Sequence, residues 1–227
     1  MKVLELFAGT RSIGKAFERA GVPRENILSV ELDRRHSDID WYIDINKITA
    51  QSVVDKMGGI PDVVWASPPC QSYSVAAISH HRYKDTNGHL QPKTDFAKAS
   101  DKLLGHTLDL IAELRMMNPN LIYFIENPRG GMRKTTFLEH IPRYTVTYCQ
   151  YGDSRMKPTD IWTIHPDPQF KPPCHNGDPC HDKAPRGSKC GTQALKGAIE
   201  RSRIPDEFCD HIAKICLNNK IKQTKLI

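Results

Sequence analysis

Lys2-Val-Leu-Glu-Leu-Phe-Ala-Gly-Thr-Arg-Ser-Ile-Gly14 holds an apolar run, a turn and the start of a helix within thirteen residues. Lys2 to Phe7 has the length and apolar content of a buried strand. Ser12 to Ala20 reads as a helix stopped by Gly21. The turn between them, Phe7 to Gly14, contains two glycines, Gly9 and Gly14. A glycine-bearing turn from strand to helix lets backbone approach a ligand, and a helix N-terminus attracts anionic groups; a plain tight turn has the same composition. Glu31, twenty-two positions after Gly9, favours the ligand reading. An acid at that distance, at the end of a second strand, is placed to accept hydrogen bonds from ribose hydroxyls.

The same alternation continues down the chain. Asn26 to Glu31 and Trp41 to Asp44 read as strands, and Ser52 to Met57 as a helix closed by Gly58-Gly59. Val63 to Trp65 is a fourth strand. Phe96 to Met117 carries Leu103, Leu104, Leu108, Ile111 and Leu114 at helical spacing, and Leu121 to Ile125 is a continuous apolar run of the buried-strand type. Strands alternating with helices predict an α/β fold, an open and mostly parallel sheet with helices on both faces. After about residue 165 the character changes. His165 to Gly191 is rich in Pro, Gly, Cys and His, and Ile204 to Leu217 then predicts a closing helix. Three parts are expected: an α/β domain over 1–164, an irregular insert over 165–195, and a C-terminal segment over 196–227 whose helix packs back on the core.

Composition sets the outer bounds. With 227 residues and 39% hydrophobic content, the chain can bury one substantial core. The excess of 32 basic over 26 acidic residues, +6, fits a polyanionic partner without requiring one. No run of about 18 apolar residues exists, so no membrane span is expected. Met1-Lys-Val-Leu-Glu-Leu lacks the apolar core of a signal peptide, which predicts a cytoplasmic protein with reduced thiols. Its seven cysteines are an odd number, which argues the same way.

Ligands of an open parallel sheet bind beyond the carboxyl ends of its strands. Asp44 ends the third strand and can accept from an adenine amino group, or stand solvated. Trp65-Ala-Ser-Pro-Pro-Cys70 ends the fourth strand with a thiol behind two prolines. Cys70 is either a small buried hydrophobe or a nucleophile displayed on a rigid turn, and the prolines favour display. Glu126-Asn-Pro128 ends the next strand. A carboxyl after five apolar residues is expected to be desolvated, with its pKa raised, and so to serve as an acid.

These segments together resemble a cytosine-5 DNA methyltransferase. The matching residues are Leu4-Glu-Leu-Phe-Ala-Gly9 with Ile13-Gly14, Val30-Glu31, Asp44-Ile45, Ser67-Pro-Pro-Cys-Gln71 with Ser74, Glu126-Asn127, Tyr151-Gly152 with Arg155, and Arg203-Ile-Pro205. They run colinearly from residue 4 to about 215 and resemble in particular the short bacteriophage members of the family. The resemblance implies a Rossmann-like methyltransferase sheet, S-adenosylmethionine as methyl donor, and a monomer acting on double-stranded DNA. It implies that Phe7, Ala8, Gly9, Thr10, Arg11, Ser12, Ile13, Glu31, Leu32, Asp44, Ile45, Ser67 and Pro68 hold the donor. Cys70, Glu126, Asn127 and Arg155 would be catalytic: Cys70 adds to cytosine C6, Glu126 supplies a proton at N3, Asn127 orients the site and Arg155 contacts the base carbonyl. The target base must leave the stack. Gln71, Ser74, His80, Arg82, Lys84, Lys157, Arg186 and Lys189 are the expected nucleic-acid contacts, and Ser74 to Thr94 is either a closing loop that meets phosphates or an ordinary solvated loop. RNA cytosine methylation and a catalytically idle binder are the alternatives.

The sequence departs from the family pattern at several points. Arg11 stands where a second glycine is usual, so its side chain must point away or grip a donor carboxylate. Arg201-Ser-Arg-Ile204 replaces a glycine-asparagine pair, and these extra cations admit a carboxylated, more anionic donor as a variant reading. Arg155 and Lys157 compete for the base-contacting role. The insert, much shorter than the usual recognition domain, holds Cys174, His175, Cys180, His181 and Cys190. Of these, Cys174, Cys180, His181 and Cys190 are the zinc candidates, but the spacing matches no standard finger, and a metal-free loop is the preferred reading.

Overall fold

The computed structural model describes residues 1–183, 200 and 202–224. In chain order the elements that matter are β1 (Val3–Leu6), α1 (Ser12–Arg19), β2 (Ile27–Glu31), β3 (Trp41–Tyr42), α2 (Ala50–Met57), β4 (Val63–Ala66), α3 (Ile78–His81), β5 (Arg82–Lys84), β6 (Leu90–Pro92), α4 (Asp95–Met117), β7 (Ile122–Pro128), β8 (Arg143–Thr147), β9 (Pro158–Thr163) and α5 (Asp206–Thr224). Seven strands form one sheet in the order β3-β2-β1-β4-β7-β9-β8, and β5 and β6 form a separate hairpin. Within the seven-stranded sheet β9 pairs antiparallel with both β7 and β8, while the other pairings are parallel.

Period-two alternation puts successive residues of each central strand into opposite layers. Leu4 and Leu6 of β1, Val64 and Ala66 of β4, and Tyr123 and Ile125 of β7 pack with α2 and α4, through Val53, Leu104, Ile111 and Leu114. Val3, Val63, Trp65, Ile122 and Phe124 pack on the other face with α1 and α5, through Ile13, Phe17, Phe208 and Ile212. Strands buried on both faces read as continuous apolar runs because both neighbours are helices. α1 ends through the Ala20 and Gly21 amides, which bond to the carbonyls of Ala16 and Glu18. α2 opens on a reciprocal capping pair between Thr49 and Ser52.

From β1 the chain crosses to β2 on one side, and from β4 it crosses through α4 to β7 on the other. β1 and β4 are hydrogen-bonded neighbours, so the sheet reverses its winding between them. A crevice forms beyond the carboxyl ends of strands at such a point. Two loops start there, one after Leu6 and one after Ala66.

Several boundaries differ from the sequence reading. β3 stops at Tyr42, because Asp44 turns its carboxylate to accept from the Asn46 amide. β7 runs on to Pro128, carrying Glu126 and Asn127 inside the strand, because β9 pairs along it. β8, β9 and the β5–β6 hairpin were not anticipated. No described helix is long and apolar enough to cross a membrane. The described part of the insert, 165–183, contains no helix or strand.

Candidate active site

The loop after β1 is held in a strained form. Phe7, Gly9 and Arg11 all have positive φ, at 58°, 50° and 57°, and clustered strain of this kind is characteristic of functional turns. A Cβ on Gly9 would meet only the His36 ring, at 3.9 Å, so the glycine is required by backbone conformation rather than by crowding. Its amide donates to Glu31 Oε2 at 2.9 Å, while Glu31 Oε1 accepts from the Leu32 and Asp33 amides at 2.8 and 3.0 Å. Each carboxylate oxygen has a second lone pair, so ribose hydroxyls can still be accepted. Beneath the loop, the Glu5 carboxyl accepts from the Ile13 and Gly14 amides at the start of α1 and from Ser29 Oγ. Burial pushes Glu5 up to about 7 against the lowering effect of those bonds.

The loop after β4 displays the thiol. Ser67 is fixed by its amide to the Leu6 carbonyl and by Trp65 Nε1, which donates to its hydroxyl at 2.8 Å. Asn127 Nδ2 donates to the Pro68 carbonyl at 2.8 Å. Cys70 is half-buried and leads into a single turn over Gln71–Tyr73. Below that turn, Arg82 binds Asp101 at 2.6 and 3.1 Å and the Ser72 carbonyl at 3.0 Å, and it stacks over the Tyr73 ring at 4.0 Å. Gly130 presses on the same turn: a Cβ there would stand 2.7 Å from the Tyr73 carbonyl oxygen.

Glu126 is buried beside these loops, and Tyr148 donates to its Oε1 at 3.1 Å. Burial raises the Glu126 pKa; the Lys157 charge and hydrogen bonds from Ser67 and Tyr148 oppose the rise. Lys157 lies over the Tyr148 ring at 4.9 Å. Burial lowers its pKa, while the charges of Glu126 and Cys70 draw it back up.

Cys70, Glu126 and Lys157 line one cavity of about 390 Å³. From the first loop it is walled by Phe7, Ala8, Gly9, Thr10 and Ser12, with Glu31 at one end. Ser67, Pro68 and Gln71 join them from the second loop, and Ser202 and Ile204 from the segment before α5. The donor-binding and catalytic residues named from sequence therefore largely converge. Leu32 is exposed nearby, while Ile13 and Ile45 belong to the core. Asp44 caps its own turn. Glu5, His36 and Trp65 also line the cavity and were missed. Glu5 had one signal, a lone acid in an apolar strand.

Three expectations are corrected. The Arg11 side chain is buried away from the cavity, donating to Ser29 Oγ and ion-paired with Glu18 and Asp38, so it grips no donor carboxylate. Arg155 is committed to Asp153 through bonds of 2.9 and 2.6 Å; of the two competitors, Lys157 is the one that lines the cavity. Arg82 is an interior ion-pair partner and does not face a phosphate backbone. The 74–94 segment is itself folded into α3 and the β5–β6 hairpin, with His80 and Lys84 exposed and Ser74 half-buried. Arg186, Lys189, Cys190 and Arg201 lie outside the described residues. Cys174, Cys180 and His181 gather at a separate place, with Cys149, which the sequence reading did not include.

The sequence model of the family described as C-5 cytosine-specific DNA methylase matches residues 1–123. A "Probable DNA (cytosine-5)-methyltransferase" of Frog virus 3 (isolate Goorha) is 32% identical over 165 residues, covering 72% of this chain and 70% of that protein. It is a viral relative, but not one from a bacteriophage. Among solved structures, S. pombe Dnmt2 methyltransferase matches with a TM-score of 0.48 at 13% identity, over 72% of this chain and 48% of that one. Entamoeba histolytica methyltransferase EhMeth matches with a TM-score of 0.49 at 14% identity, over 72% and 52%. The chain spans about half the length of these two structures.

Proposed function

The chain belongs to the C-5 cytosine-specific DNA methylase family, and from that premise we propose that it methylates C5 of a cytosine in DNA, using S-adenosylmethionine and a covalent bond from Cys70 to C6. The observation that carries this reading is the shared cavity: a half-buried thiol and a buried carboxyl open onto the space walled by the Gly9 loop and Glu31. The donor fits this chain's residues. Gly9 presents bare backbone, Glu31 offers ribose acceptors, and Phe7 gives an apolar surface for an adenine. Bound S-adenosylmethionine supplies an electrophilic methyl group.

The protein's part is to make cytosine C5 nucleophilic. The thiolate is the attacking form of cysteine, and a neighbouring cation favours it, so the Lys157 charge acts on the sulfur. As the sulfur–C6 bond forms, electron density moves toward N3. Glu126, whose pKa burial raises, delivers its proton there. C5 is then an enamine carbon and takes the methyl group. Loss of the C5 proton to a base, breakage of the sulfur–C6 bond and return of the N3 proton to Glu126 restore the ring and free the thiolate. Asn127 acts as a positioning residue through Pro68, and Lys157 takes the base-side role first assigned to Arg155. C6 of a paired base is inaccessible, so the cytosine is flipped into the cavity.

The test is a covalent trap. A duplex carrying 5-fluorocytosine, incubated with the protein and S-adenosylmethionine, should give a species that persists on a denaturing gel, because fluorine blocks the final proton loss. Cys70→Ala should abolish it. An RNA oligonucleotide of the same sequence runs alongside; adduct on RNA alone would overturn the DNA assignment. Undiminished turnover by Cys70→Ser would overturn the covalent route.

A further inference from the structure

Cys149, Cys174, Cys180 and His181 bring their ligand atoms within 4.8 Å of one another. We propose that these four side chains bind one structural zinc ion that fastens the insert to the catalytic domain. The Sγ atoms of Cys149 and Cys174 are 3.1 Å apart, and those of Cys180 and Cys149 are 3.7 Å apart. His181 Nδ1 is 3.7 Å from Cys174 Sγ and 3.6 Å from Cys180 Sγ. A tetrahedral zinc with Zn–S of about 2.3 Å and Zn–N of about 2.0 Å gives S···S edges of roughly 3.8 Å and S···N edges of roughly 3.5 Å. Three of these four separations fall within about 0.2 Å of those edges. The Cys149–Cys174 pair has to open slightly as the metal enters.

Hydrogen bonds hold the ligand-bearing segments in place. Gln150 Nε2 donates to Cys180 Sγ at 3.4 Å, and the Cys174 amide is fixed by Thr147 Oγ1 at 2.9 Å. Asp178 and His175 close the intervening turn through the Asp178 amide and the His175 carbonyl, and the His175 amide donates to the Asp178 carboxylate. Outer hydrogen bonds of this kind orient ligands and tune the metal. Binding Zn²⁺ releases three thiol protons to solvent and takes His181 as neutral imidazole; no electrons move. All four positions are filled by protein atoms, so the site is closed and its role is structural.

Placement explains the use. The described insert has no helix or strand, and His165, Pro168 and Cys174 are its buried residues. A segment with so little core of its own is a natural case for a metal whose binding energy becomes folding energy. Cys149 sits beside Tyr148, the donor to Glu126, and Asp182 bonds back to the Ser154 carbonyl in the stretch that leads to Lys157. Zinc would therefore hold the 148–157 connection as well as the insert.

Protein purified without a histidine tag should contain one zinc per chain by mass spectrometry of the metal. Replacement with cobalt(II) should give the intense visible bands of a tetrahedral, thiolate-rich site. Cys174→Ser and His181→Ala should each weaken metal binding by at least about 100-fold, beyond the loss from removing an outer hydrogen bond. His175→Ala, a histidine of the same segment outside the cluster, should keep full metal content. Because a ligand variant can misfold, the cobalt spectrum of the wild-type chain is the deciding measurement, and none of these readouts involves methyl transfer. Absence of both retained zinc and the tetrahedral cobalt spectrum would overturn the proposal, as would a Cys149–Cys174 disulfide in protein isolated under reducing conditions.

Discussion

Replacing Tyr148 by phenylalanine removes one oxygen from the site and leaves its packing in place. That hydroxyl donates to Glu126 Oε1 at 3.1 Å and helps the carboxyl to ionise. Tyrosine remains a donor at every working pH, because burial and the Glu126 charge push its own pKa well above the ordinary value. A hydrogen bond to a charged acceptor contributes about 1.5–3 kcal/mol, and a length of 3.1 Å places this one at the lower end. Losing roughly 1.4 kcal/mol of carboxylate stabilisation raises the Glu126 pKa by about one unit. The protonated form is the one that acts, so activity is present below this pKa and falls as pH rises through it. Tyr148→Phe should move the alkaline limb of single-turnover methylation upward by about one pH unit while leaving the low-pH plateau within about threefold. The Lys157 ammonium also lies near this ring, and its loss of charge would produce an alkaline limb too. Phenylalanine preserves the ring, so a limb belonging to Lys157 would stay where it is. A stationary limb, or one moving downward, would refute Glu126 as the acid.

Two further outcomes follow from buried charge. Glu5 has its pKa pushed up to about 7 from 4.5, so the folded protein keeps a proton there that the unfolded chain loses. Stability should therefore decline between about pH 4.5 and pH 7, by ~3 kcal/mol from this group, and Glu5→Gln should flatten that part of a urea-denaturation profile; an unchanged profile would show that Glu5 ionises normally. Arg82→Met keeps the side-chain volume but leaves Asp101 buried with only the Tyr73 hydroxyl, and should cost about 3–5 kcal/mol in chemical denaturation. If Arg82 instead touched DNA, the variant would keep its stability and bind DNA with a salt dependence weaker by about one charge.

The parallel half of the fold was legible because its strands are buried on both faces and its helices end at recognisable stops. Gly21 after α1 and Gly58 after α2 mark those ends, and the apolar runs of β1, β4 and β7 need no partner information to be recognised. The cavity was legible for the same reason: residues just beyond parallel strands share one edge of the sheet. Arg82 was misread because its sequence neighbours, His80, His81 and Lys84, make it look like part of a basic surface. Only the tertiary structure supplies Asp101, from nineteen residues away on α4. The metal-ligand cluster was half legible. Cys174, Cys180 and His181 stand close in sequence, but Cys149 joins them from across a strand pair, and spacing alone cannot report a ligand that arrives from another element.

The direction of β9 decides which cation lines the cavity with the thiol. In its register with β7, Pro128 pairs with Thr159 and Phe124 with Thr163, so β9 begins at the carboxyl end of β7. β8 pairs with β9 from Thr147 opposite Pro158 to Arg143 opposite Trp162, so β8 finishes at that same edge. The 148–157 connection must then lie beside Cys70 and Glu126, although nothing in its own composition announces it. Within the connection the two cations are separated by local geometry. Asp153, two residues before Arg155, captures that guanidinium in a fork. Lys157 has positive φ just before β9 begins, and it lines the cavity with its ammonium over the Tyr148 ring. A pattern of residue types cannot separate Arg155 from Lys157. An antiparallel strand and one aspartate can: of the two, Lys157 lines the cavity, while Arg155 pairs with Asp153.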